Sequence, residues 1–160
     1  VTYRAWAIED RERCLAIFDG NLPRFFTPAD RVPFVEFLSR PVGFYGVLAD
    51  AEGKLVGCGG VAPDRTGRVA ILTWGMVDAA HHRRGWGRRL ALVRLRRALA
   101  MPAVEVVRVN TSSETVGFYE RLGFRTFEFT PHGYRPGLHR HDMELTVDAA
   151  LRLRLGAAEG

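Results

Sequence analysis

The chain has 160 residues, 47% of them hydrophobic and 26% charged, with no internal repeat or low-complexity tract, so a single globular domain over residues 1–160 is expected. No apolar run approaches the roughly 20 residues of a membrane-spanning helix, and the opening "VTYRAWAIEDRERC" has no signal-peptide core; the expected location is cytoplasmic. A net charge of +5 suits an anionic partner, nucleic acid or a phosphate-bearing small molecule, while two unpaired-looking cysteines, Cys14 and Cys58, argue against a disulfide framework or a cysteine zinc site.

In chain order, "TYRAWAI" alternates as a first strand. "EDRERCLAIFDGN" reads as a helix that starts near Asp10 and stops at Gly20 and Asn21. "TPADRVPFVEFLSR" reads as a second helix with Thr27 as N-cap and Pro28 at its first position, and Pro33 marks a candidate break. A meander of three strands follows: "GFYGVLAD", "LVGCGGVA" and "VAILTWGMV", joined by the turns "DAEGK" and "PDRTGR". Gly57, Gly59 and Gly60 signal a bulge or a close backbone approach. "WGRRLALVRLRRALA" is a helix with Leu92, Leu95 and Leu99 on one face. "AVEVVRVNT" is a strand, "SETVGFYERLG" a helix closed by Gly123, and "FRTFEF" and "DMELTV" are strands flanking a long loop, "TPHGYRPGLHRH". The tail "DAALRLRLGAAEG" begins as a helix. The order β-α-α-β-β-β-α-β-α-β-β predicts an α/β chain with a mixed sheet and helices packed on it.

The densest functional signal is "VDAAHHRRGWGRRL", residues 77–90. It joins a buried strand to a helix, and its glycines fall at the helix N-terminus, where backbone N–H groups lack intrahelical partners. Gly85 and Gly87 let an anion approach those amides, the helix dipole attracts it, and Arg83, Arg84 and Arg88 supply charge-assisted bonds. This arrangement suits a compact pyrophosphate better than an extended polynucleotide. A Rossmann GxGxxG or a Walker GK[ST] is absent, and a tight loop with solvated arginines is the simpler alternative.

The stretch resembles the acetyl-CoA loop of GNAT-type N-acetyltransferases, which reads Gln/Arg-x-x-Gly-x-Gly/Ala. Here the pattern falls on His82, Arg83, Arg84, Gly85, Trp86 and Gly87. His82 departs from the usual Gln or Arg but can still donate a hydrogen bond, so weakened side-chain recognition and intact backbone recognition are expected; Ala79 stands where proline is common. The resemblance implies a mostly antiparallel sheet splayed between its fourth and fifth strands. It also implies that Gly75, Met76 and Val77 pair their backbone with the pantetheine arm. "SSETVGFYERLGF" resembles the family's second motif, with Phe118, Tyr119, Glu120, Gly123 and Phe124 matching. Tyr119 is then the residue that protonates or hydrogen-bonds the departing thiolate; taken alone it reads as a core aromatic. Ser112 holds the spacing at which relatives place a pantetheine-binding Asn, with Asn110 two residues earlier. Ser112, Thr111 and Ser113 are equally N-cap candidates.

The resemblance implies an enzyme that transfers the acetyl group of acetyl-CoA to a primary amine of a small molecule or peptide, by direct attack in a ternary complex. A backbone N–H near Met76 or Val77 is the candidate oxyanion donor. The fourth strand has no carboxylate for a general base, and Ile71 stands about where some relatives carry Glu. Asp64, Asp78 and His81 are weaker base candidates, as are His132, Tyr134, His139 and His141 in or beside the late loop. His139 and His141 have a His-x-His look but no accompanying ligands, so no metal is expected. The acceptor pocket is expected from the first two helices and the late loop, with Asn21, Phe25, Phe26 and Trp74. Dimers are common among similar chains. An acyl-CoA-binding sensor with little catalysis is the alternative, and an Arg-rich nucleic-acid module ranks last, lacking interleaved aromatics and a single basic face.

Overall fold

The computed structural model of the protein describes residues 1–156. Its strands are β1 (Thr2–Ala5), β2 (Phe44–Ala49), β3 (Leu55–Pro63), β4 (Val69–Val77), β5 (Val106–Ser112), β6 (Arg125–Arg135) and β7 (Leu138–Thr146). Its helices are α1 (Arg11–Gly20), α2 (Arg31–Ser39), α3 (Trp86–Leu99), α4 (Val116–Arg121) and α5 (Ala149–Gly156). The strands form one sheet in the order β1-β2-β3-β4-β5-β7-β6. The β1–β2, β2–β3, β5–β7 and β6–β7 ladders are antiparallel, whereas β4 and β5 are parallel. That parallel ladder runs only from Val69 opposite Val106 to Ile71 opposite Arg108.

Two compact units divide the chain. The first holds Val1–Ala62 and Leu72–Arg97. In it, α1 buries Cys14, Leu15, Ile17 and Phe18, and α2 buries Phe34 and Leu38, all packed with Tyr45, Val47, Cys58 and Met76. These positions recur at the three- and four-residue steps that keep one helical face inward. Both cysteines are free thiols in this core. Pro33 does not break α2. Pro28–Asp30 form a 3-10 turn whose Asp30 carboxylate accepts from the Thr27 N–H and hydroxyl at 2.8 and 2.9 Å. Pro33 is then the third residue of α2, where a backbone N–H has no intrahelical acceptor to lose. The buried stripe of α3 is also offset from the predicted one: it reads Leu90, Ala91, Arg94, Leu95 and Ala98.

The second unit holds Pro63–Ile71 and the chain from Ala98 onward. Val107 faces Leu145 and Val109 faces Met143 across the β5–β7 ladder, and all four are buried. The expected long loop before the last strand is mostly strand. β6 continues to Arg135, which already pairs with Leu138 of β7. Pro136 and Gly137 alone make the turn: proline sets its own φ and Gly137 takes φ 82°, as a type II turn requires. The four residues 131–134 are bulged out of register, with His132 at φ 54°.

Candidate functional site

In the first unit, β4 leads into the predicted anion loop through a conspicuous kink. Trp74 has φ 40°, a left-handed value inside a strand, so regular alternation is interrupted immediately before Gly75. The Tyr45 hydroxyl donates to Trp74 O at 3.0 Å and holds the kink. The Trp74 ring packs against Phe26, Phe34 and Phe37, so Trp74 and Phe26 belong to the core aromatic cluster. At the far end of the strand, Val77 O is bonded twice, by Asn21 Nδ2 and by His82 Nε2, both at 2.9 Å. Asn21 is buried, and its amide also donates to Ile17 O at 2.8 Å, which ties the end of α1 to the end of β4.

Asp78 starts the loop. Its carboxylate accepts from Arg13 of α1 and from Ala80 N–H at 3.3 Å, and His81 Nδ1 lies 3.5 Å away. Burial pushes its pKa up, but the Arg13 guanidinium and the Ala80 N–H outweigh this and hold the carboxyl below its ordinary range. After the turn of residues 79–81, Arg83 takes φ 59° and Gly85 φ 82°. These left-handed residues reverse the chain into α3, whose first bond from outside the helix is Arg89 N–H to Gly85 O at 3.1 Å. A Cβ on Gly85 would meet nothing within 4 Å, so the space over the helix N-terminus is open. Arg83, Arg84 and Arg88 are exposed and carry no hydrogen bond or ion pair among the described residues. Gly87 lies in the first turn of α3, and Trp86 is stacked under the Arg89 guanidinium at 5.1 Å.

Together these features form a candidate anion cradle: helix N-terminal amides, an open glycine position and three uncommitted guanidinium groups. His82 differs from the expected picture. Its ring turns back to Val77 O and packs edge-on against Phe25, 5.3 Å between centroids, so it braces the loop.

In the second unit, Tyr119 is 8% exposed and packs edge-on against Phe118 and Phe124 at 5.0 and 5.4 Å. Its hydroxyl makes no hydrogen bond among the described residues. Gly123, at φ 100°, ends the α4 segment as its sequence position predicts. Ser112 is buried at the end of β5 and faces Arg140 across the ladder. The cap of α4 is Thr115, so the Thr111, Ser112 and Ser113 side chains do not serve it. Asn110 Oδ1 accepts from the Tyr134 hydroxyl at 2.8 Å.

The histidines of this unit are committed to its fold. His141 bonds Ser113 Oγ at 3.0 Å and Thr126 Oγ1 at 3.2 Å, and His139 Nδ1 accepts from His132 N–H at 2.9 Å. Among the described residues no three His, Cys, Asp or Glu side chains gather as a metal site. Ile71 pairs with Arg108 in the parallel ladder. The Asp64 carboxylate is absorbed by its own turn through Thr66 Oγ1 at 2.7 Å. Arg13, Asn21 in its tethering role, and Arg94 have no signature in the sequence, although the glycines of β3 did mark a close approach.

A seven-stranded mixed sheet with one short parallel pair, and a glycine-arginine loop opening onto a helix, define a GNAT-type fold. The family model for the acetyltransferase (GNAT) domain matches residues 39–147, and the chain belongs to that family; it is an acyltransferase. Solved structures agree in fold. A GCN5-related N-acetyltransferase from Kribbella flavida superposes with a TM-score of 0.74 at 21% identity, over 91% of this chain and 97% of that one. An aminoglycoside 6'-N-acetyltransferase complexed with coenzyme A gives 0.71 at 14% identity, over 91% and 97%. A spermidine N-acetyltransferase mutant from Vibrio cholerae gives 0.73 at 14% identity, over 98% and 97%. No curated protein matches the sequence. No described helix is long and apolar enough to cross a membrane.

Proposed function

We propose that the chain, acting as one catalytic domain in the cytoplasm, is an acetyl-CoA-dependent N-acetyltransferase that modifies a primary amine of a small molecule or peptide. The observation that carries this reading is the open N-terminus of α3. There Gly85 leaves room that any other residue would fill, and Arg83, Arg84 and Arg88 have charge to offer. These groups fit a pyrophosphate, with the α3 amides and the three guanidinium groups as its ligands. Bound acetyl-CoA supplies a thioester whose acetyl carbonyl an amine attacks while the carbon–sulfur bond breaks.

The chain's own residues divide the remaining work. Gly75, Met76 and Val77 orient the pantetheine arm through backbone groups, and their carbonyls are not equivalent. Val77 O is saturated by Asn21 and His82, so Val77 acts through its N–H. Tyr119, with a hydroxyl uncommitted to the protein, donates a proton or hydrogen bond to the departing sulfur. A thiol of pKa about 8.5 leaves adequately near neutral pH, so this donor assists and does not govern the rate alone. The amine gives its proton to solvent, since β4 carries no carboxylate. Asn110 and Ser112 are the polar groups assigned to the pantetheine amides.

Proteins with this fold include an aminoglycoside 6'-N-acetyltransferase and a spermidine N-acetyltransferase. Here Phe25 lies beside the anion loop, edge-on to His82 at 5.3 Å, and its ring favours an aromatic amine. The test is release of free thiol from acetyl-CoA across an amine library, with the products identified by mass. Acetylated amine accumulating with the thiol supports the reading; acetyl-CoA that remains intact with every amine contradicts it.

A further inference from the structure

Arg94 stands in the buried stripe of α3, 3% exposed, at a position whose neighbours in the stripe are Leu90, Ala91, Leu95 and Ala98. Two glycines of the sheet, Gly59 and Gly75, make room for this side chain. A Cβ on Gly75 would lie 2.5 Å from Arg94 Nη1 and 2.7 Å from Nη2, and one on Gly59 would lie 3.3 Å from its Cδ. Gly46 is covered by the Tyr3 ring, whose hydroxyl donates to Gly59 O at 2.7 Å. The guanidinium therefore lies flat on the backbone of β3 and β4, one residue past the Trp74 kink.

What surrounds it does not answer its charge. Its one hydrogen bond among the described residues is from Nε to Leu90 O, long at 3.4 Å; Nη1 and Nη2 have no protein acceptor there and are not fully enclosed, so both keep a path to solvent. The other arginines of this unit with structural roles are matched: Arg4 to Asp10, Arg13 to Asp78, Arg31 to Asp19, and Arg97 over the Phe44 ring at 3.3 Å. Guanidinium cannot shed its proton to escape burial, and an uncompensated buried charge is strongly destabilising. A core position that needs only volume would be filled at no such cost by Leu or Met. The two free Nη groups present the planar fork that matches a carboxylate.

We propose that Arg94 is a recognition point for a carboxylate of the substrate, bound by the terminal nitrogens that lie over Gly75. The proposal rests on the acyl-CoA reading, because Gly75 is assigned to the pantetheine arm. Seven residues of α3 separate Arg94 from Gly87, a rise of about 10 Å, which sets the guanidinium back from the proposed pyrophosphate cradle and against Gly75. The carboxylate has two sources: the far end of a dicarboxylic acyl group on the CoA thioester, or the carboxylate of an amino-acid acceptor.

The test is calorimetric titration of wild type, Arg94→Met and Arg94→Lys, each checked by its thermal melting curve. Free CoA, acetyl-CoA and succinyl-CoA probe the donor. L-phenylalanine and phenethylamine, titrated in the presence of CoA, probe the acceptor. If the donor carries the carboxylate, wild type binds succinyl-CoA about tenfold or more tighter than acetyl-CoA, and Arg94→Met abolishes that preference while free CoA binds all three proteins alike. If the acceptor carries it, the tenfold preference is for L-phenylalanine over phenethylamine and disappears in the same variant. Wild type that discriminates in neither pair overturns the proposal, and this arm needs no variant to fold. Wild type that fails to bind free CoA overturns the acyl-CoA reading itself; free CoA has no acyl group, so that failure is distinct.

Discussion

The loop between β4 and α3 and the hairpin of β6 and β7 are both rich in Arg and His, yet they use these residues in opposite ways. In the hairpin, every histidine is spoken for. His141 bridges Ser113 and Thr126, His139 accepts from the backbone of His132, and His132 Nδ1 accepts from Gly137 N–H at 2.7 Å across the turn. In the loop, His82 is engaged as a brace but Arg83, Arg84 and Arg88 are not, and the glycine beside them opens onto empty space. Basic residues whose donors are satisfied by the protein shape it; those with donors to spare, grouped at a helix N-terminus, are the ones proposed to hold an anion.

The sharpest way to break this contrast is Gly85→Asp. Aspartate brings a negative charge into the cradle and forces an unfavourable φ of 82°, so CoA affinity should fall at least about a hundredfold, read by calorimetry. Tyr119→Phe comes next: turnover should drop roughly ten- to a hundredfold with acetyl-CoA affinity nearly unchanged, the signature of a contact made in the transition state. Equal turnover in the two proteins would make Tyr119 a packing residue alone.

On the acid side, stability should fall as pH drops below about 4. Arg4 holds the Asp10 carboxyl below its usual range, and Arg13 does so for Asp78 against the opposing effect of burial. Carboxyls lowered in the folded state contribute stability above their unfolded values and lose it as they are protonated. Asp78→Asn should therefore flatten the acid limb of a melting-temperature profile. The smallest effect expected is that of His141→Ala: about 1 kcal/mol of stability from two half-exposed hydrogen bonds, with CoA affinity within twofold of wild type.

The same contrast explains what was legible in the sequence. The cradle was readable because its chemistry is local: two glycines, three arginines and a helix start fall within a few residues. The order of strands and helices along the chain was readable from alternation and turns; their order within the sheet, with β7 between β5 and β6, was not. The hairpin was not, because residues 131–135 and 138–141 lack the β-branched run that marks a strand, so the Pro136-Gly137 turn signal sits inside what reads as one long loop. Arg13 with Asp78 and Asn21 with Val77 are contacts across more than fifty residues, and no spacing rule reaches that far. Arg94 hid for a different reason. Among the many arginines of α3 it reads as a solvated side chain, and only its four-residue step from Leu90 to Ala98 places it inside.

The proposed cradle is tested most directly by calorimetric titration of the protein with acetyl-CoA, with a random oligonucleotide in a parallel cell. Stoichiometric micromolar binding of acetyl-CoA, and none of the oligonucleotide beyond weak salt-sensitive association, is the predicted result. Salt-sensitive oligonucleotide binding with no acetyl-CoA binding would contradict it, and would turn Arg83, Arg84 and Arg88 into a nucleic-acid surface.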